Sequence, residues 1–122
     1  MGVKRNCSAS FTVEIANKKD NISKVEIVFK KKPEPEAEEL LRLEYGEKDF
    51  SENSEAPDEY VTTIDCNLKP EDTFKLTAGT VYMDLRVILA DGYVVPTDMM
   101  VIDDVGETLF DDVYTGEVAT DD

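Results

Sequence analysis

From Val81 to Leu89 every second residue is apolar: Val81, Met83, Leu85, Val87 and Leu89. A strand sends successive side chains to opposite faces, so this pattern gives an extended segment one face to bury. The same period of two recurs along the chain. Ser8–Ile15 carries Phe11, Val13 and Ile15 on one side, with Thr12 and Glu14 on the other. Lys24–Lys30 alternates through Val25, Ile27 and Phe29, and Tyr60–Cys66 is rich in β-branched residues. Leu41, Leu43 and Tyr45 continue the series as a strand, although Ala37–Leu43 could also wind a helical turn.

The last two runs form a hairpin around Ala90-Asp91-Gly92. A two-residue Asp-Gly turn would set Leu85 opposite Asp98 and Asp84 opposite Met99, mixing apolar and acidic faces. A three-residue loop with Gly92 in the left-handed position pairs Leu89 with Tyr93 instead. Val87 then meets Val95, Leu85 meets Thr97, Met83 meets Met99 and Val81 meets Val101. A one-residue slip turns every side chain over, so this agreement selects the longer loop. It sets Asp84 against Asp98, with Arg86 near enough to moderate the pair. Pro96 cannot donate to a ladder, so its strand is an edge or is bulged there.

Between the strands lie polar breaks. Asn17–Asn21 is a turn. Pro33 and Pro35 amid dense acidic charge mark 33–39 as an exposed loop. Residues 46–59 read as a second acidic loop with Phe50 as its only large apolar anchor, giving an acidic loop region within 33–59. Pro70 followed by Glu71 and Asp72 has the chemistry of a first helical turn: a preset φ, no wasted donor, and acids near the N-terminal dipole. One short helical turn is expected near 70–76, with Leu68, Phe74 and Leu76 plugging an open end of the core. Leu109, Phe110, Val113 and Tyr114 are expected to form a last packing segment, and 115–122 a frayed tail. At 122 residues the chain is long enough for a core without staples. The expectation is one domain, a mainly β, immunoglobulin-like two-sheet sandwich without the Cys…Trp…Cys core, since tryptophan is absent.

The net charge is −15. It is unevenly spread: residues 1–32 carry 8 basic and 3 acidic side chains, and residues 33–59 carry 2 and 11. Such a surface repels phosphates, which argues against nucleic-acid binding. A basic start on an acidic body can orient partners, or simply keep the protein soluble. No segment has the apolar length of a membrane span, and the residues after Lys4 and Arg5 alternate in a way unlike a signal-peptide core. Cys7 and Cys66 fit no zinc pattern; two small buried thiols are favoured over a disulfide.

With no histidine, a Ser-His or Cys-His pair and a histidine base are excluded. No phosphate-cradling glycine loop is present. Asp103-Asp104 and Asp111-Asp112 are eye-catching carboxylate pairs, but a chain holding 28 acids produces such pairs by chance. Asp84, Asp98, Asp103 and Asp104 could converge on calcium, yet the ligand spacing of a calcium loop is missing. The expectation is no catalytic residue, no metal and no cofactor. If Met83, Leu85 and Val87 face inward, then Tyr82, Ile88, Val94, Met100 and Ile102 face outward as an apolar protein-contact patch. The competing expectation is that Leu109–Tyr114, or the 46–59 loop, folds over it.

Several short runs together are similar to a family of small bacteriophage and prophage structural proteins. They are Val25–Phe29, the stretch Leu68-Lys-Pro-Glu-Asp-Thr-Phe-Lys-Leu76, Met83–Gly92 with its Asp-Gly turn, and Val101–Gly106 ending in Val-Gly. The resemblance covers most of the chain outside 33–59. It implies an immunoglobulin-like domain associated with a tail or baseplate, assembling with protein subunits or with itself as part of a larger assembly. It also implies residence in the virion, and in the bacterial host cytoplasm before assembly. No functional residue transfers, because the family has no catalytic motif. Two other readings stay open: a standalone binding module, calcium-assisted or not, and an acidic decoy that blocks a basic host protein.

Overall fold

The structure is a computed structural model that describes residues 2–56 and 59–114. In chain order the strands are β1 (Val3–Lys4), β2 (Ala9–Ile15), β3 (Ile22–Lys30), β4 (Glu39–Tyr45), β5 (Ser51–Ala56) and β6 (Glu59–Leu68). The helical turn α1 (Pro70–Thr73) follows, then β7 (Gly79–Leu89), β8 (Val94–Val95) and β9 (Met100–Gly106). One sheet has the order β1-β9-β7-β3-β4, with β8 beside β7; the other is β2-β6-β5. The protein is mainly β, with two sheets packed face to face around one core.

Alternation explains the core directly. Val25, Ile27 and Phe29 of β3 are fully buried, and Val81, Met83 and Val87 of β7 join them on the same inner face. The smaller sheet contributes Val13, Ile64 and Cys66, the first two paired across β2 and β6. At about 25 cal/mol per Å² of apolar surface removed from water, these facing side chains dominate the drive to layer the sheets. With β2, β3, β5, β6, β7 and β9 read as strands B to G, the sheets are B-E-D and G-F-C, with β4 added beside C. That order is compatible with an immunoglobulin-like sandwich.

The expected helical turn forms where Pro70 sits at its start. The Asp72 carboxylate accepts from the Lys69 backbone N–H at 2.9 Å, which satisfies one of the turn's free donors. Thr73 is fully buried; its hydroxyl donates to the Cys7 carbonyl at 2.8 Å and accepts from the Cys7 N–H at 3.1 Å. Leu68 and Leu76 plug the core as expected. Phe74 does not: it lies half-buried at the surface beneath the Arg5 guanidinium, 4.7 Å from the ring centre. Arg5 also donates to the Leu76 and Phe74 carbonyls, at 2.7 and 2.9 Å.

Two strands were not anticipated. β1 runs parallel to β9 and seats Val3 against Val105, both buried. β5 occupies part of the expected 46–59 loop, pairing Ser51–Ala56 with β6. Its sequence, Ser-Glu-Asn-Ser-Glu-Ala, has no apolar face, so only backbone pairing reveals it. Phe50 is buried just before it, as the anchor expected there. The loop at 31–38 is exposed apart from Ala37. The expected tail at 115–122 lies outside the described residues. Among the described residues no helix is long and apolar enough to cross a membrane.

Candidate interaction surface

The hairpin begins in the expected register. Gly92 has φ +91°, Leu89 donates to the Tyr93 carbonyl at 2.8 Å, and Val87 and Ile88 pair with Val95 and Val94. Pro96 then ends β8. When pairing resumes in β9, one residue has been absorbed: Met83 meets Met100, Tyr82 meets Val101 and Val81 meets Ile102. The expected partners Met99 and Val101 are each displaced by one position. Among the described residues the break leaves Leu85 without a strand beside it on that edge, and side chains substitute. The Thr97 hydroxyl donates to the Leu85 carbonyl at 2.7 Å, and Asp84 Oδ1 accepts from the Leu85 N–H at 3.0 Å.

The slip rearranges the expected contact patch. Ile102 turns inward and is only 4% exposed, whereas Val101 turns outward at 48%. Met100 pairs with the buried Met83 and so sits on the inner side, yet at the open rim it remains 42% exposed. Tyr82 and Ile88 are half-buried on the outer face, and Val94 is exposed. Tyr82 and Ile88 stand six positions apart on β7, roughly 20 Å at strand rise, with Asp84 and Arg86 between them on the same face. The five residues therefore do not make one patch.

What is exposed instead is a run late in the chain. Among the described residues the large apolar side chains open to solvent are Tyr93, Val94, Met99, Met100, Val101, Leu109, Phe110 and Tyr114. All fall after Gly92. Among the described residues the expected cover does not form: Leu109 is fully exposed and Phe110 largely so. Glu107 pairs with Arg5, and the Asp112 carbonyl accepts from Asn6 Nδ2 at 2.7 Å, so this segment is held beside the β1 end. The slip decides which face Val101 and Ile102 take.

The outer face of the larger sheet also gathers charge. Glu26, buried, accepts from Arg86 at 2.7 Å and Arg42 at 3.1 Å, with Lys24 at 3.6 Å. Lys24 reaches Glu44, and Arg42 reaches Glu39 at 2.8 Å. The Arg86 hydrogen bond foremost holds the Glu26 carboxyl below the usual range, against the opposing effect of burial. Arg86 is thus committed to Glu26, and the expected Asp84–Asp98 pairing does not form, because the ladder breaks after Val95 and resumes one residue out of step at Met83 and Met100. No local motif signals this cluster, because it is assembled across three strands by register.

Beside it, Val28, Lys30, Pro33, Pro35, Tyr82 and Met99 line a groove of about 280 Å³. The Lys30 ammonium donates to the Pro35 carbonyl and holds that loop over the sheet. The groove is at the small end for a ligand site. Among the described residues no three Cys, Asp or Glu side chains gather as a metal would need, so Asp84, Asp98, Asp103 and Asp104 do not converge. Both cysteines are free; Cys66 is buried as expected, but Cys7, in the turn after β1, is exposed. Burial pushes the Cys66 thiol and the adjoining Tyr45 phenol upward. Compared with protein-family models, curated proteins and solved structures, the chain matches none.

Proposed function

We propose that this chain is a non-enzymatic assembly module: a phage or prophage virion structural protein, associated with a tail or baseplate, that packs against other protein subunits. The observation that carries the assembly reading is the concentration of exposed large apolar residues between Tyr93 and Tyr114. Surfaces of this kind mark contact sites, and methionine and tyrosine are enriched in them. The absence of histidine supports the non-enzymatic part, since it removes the commonest general base. The virion assignment is supported by the motif resemblance at Val25–Phe29, Leu68–Leu76, Met83–Gly92 and Val101–Gly106.

The test is co-expression with the products of adjacent genes. The chain is expected to co-purify with an identified structural subunit, and Val94→Glu and Val101→Glu, both at exposed outer positions, are expected to lose that subunit while keeping an unchanged melting temperature. Retained co-purification in both variants would remove this surface from consideration. A basic partner released steeply by salt would favour the decoy reading instead.

A further inference from the structure

Open sheet edges offer unpaired backbone groups to any passing strand, and proteins blunt them with charge. Three edges here follow that rule. β2 presents Ser10, Thr12 and Glu14 to solvent, β4 presents Arg42 and Glu44, and β5 presents Ser51, Glu52 and Asn53. The side of β7 occupied by β8 and β9 does not. β1 covers β9 only at Val105 and Gly106, so Met100–Asp103 has no strand on that side among the described residues. Along that open stretch the exposed side chains are Met100 and Val101, with no charge until Asp103. Among the described residues, the segment 107–114 is tied to Arg5 and Asn6 and leaves them uncovered. Acids bracket the stretch: Asp98 precedes it, and Asp103 and Asp104 close it, all exposed.

We infer that the β9 edge at Met100–Asp103 receives an extended strand from a partner protein, apolar at its centre and carrying Lys or Arg at both ends. This rests on the assembly reading and names its partner chemistry. Backbone pairing supplies the affinity and the flanking charges the selectivity. A second copy of the chain fits poorly. Antiparallel pairing centred on Val101 would set Asp98 of one copy against Asp104 of the other, on bodies each carrying −15.

The experiment titrates the full chain with three synthetic peptides of about seven residues, enough to span the edge at strand rise. One alternates threonine and valine between terminal lysines. The second replaces those lysines by glutamates, and the third keeps the lysines but has proline at the centre. The first is expected to bind at least about tenfold more tightly than either control, and to slow amide exchange within Met100–Asp103. Val101→Lys, at an exposed position, is expected to abolish the preference without altering the melt. Equal binding of the two lysine-ended peptides would mean bulk charge attraction and would overturn the inference, as would binding without protection of β9. If Val101→Glu breaks co-purification while the first peptide gains no advantage, strand addition fails and the assembly reading stands.

Discussion

Single residues tie the ends of the sandwich together. Arg5 bridges the carbonyls of Phe74 and Leu76, covers the Phe74 ring and meets Glu107, so one side chain joins the β1–β2 turn to the segment after α1. Arg5→Ala should destabilise the fold by about 1–3 kcal/mol, from two charge-assisted hydrogen bonds and a ring contact. Arg5→Lys should recover little, because an ammonium lacks the planar fork that spans two carbonyls. A lowered denaturation midpoint at unchanged slope checks both. Glu26 gives a pH signature. Its folded pKa is depressed, so its contribution is present above the unfolded value of about 4.5 and lost as pH falls through the folded one. Glu26→Gln should therefore flatten the acid limb of the stability curve and cost on the order of 1 kcal/mol at neutral pH, the partners being largely solvated. Neither residue stands out in the sequence: an arginine near the start and a glutamate within an alternating strand look like ordinary surface.

At the scale of elements, β2, β3, β4 and β7 were legible because each carries its own period of two, β6 because it is rich in β-branched residues, and α1 because Pro70, Glu71 and Asp72 announce a helix start. The hairpin loop was legible for the same kind of reason: Gly92 suits a left-handed position, and the facing apolar sets select the loop length. The register of β9 was not. Pro96 marked an interruption, but the number of residues it would absorb depends on how Thr97 and Asp84 satisfy Leu85, a matter of three-dimensional fit. Substitution reads the slip directly. Ile102→Ala should cost about 2–4 kcal/mol as a core truncation, whereas Val101→Ala should stay within about 0.5 kcal/mol. The unslipped register requires the reverse order, so a comparison of the two melting curves decides between them. β1 and β5 escaped the sequence reading because one is two residues long and the other has no apolar face. Each is recruited by a neighbour's backbone.

Over the whole molecule, charge and packing oppose each other. A body at −15 repels itself, so raising salt from low to moderate concentration should lift the melting temperature, even as exposed pairs such as Lys24–Glu44 weaken. A melt series in sodium chloride checks the sign. By itself the sequence determined that the chain layers into sheets, which residues of β3 and β7 meet inside, and where the helical turn lies. Those properties follow from local periodicity, and periodicity is carried by neighbours along the chain. The tertiary structure alone decided the register of β9, the exposure of Leu109 and Phe110, the charge cluster around Glu26 and the open edge at Met100–Asp103. Each of these depends on which strand lies alongside which, and pairing between strands distant in sequence is fixed by packing and backbone satisfaction across the fold.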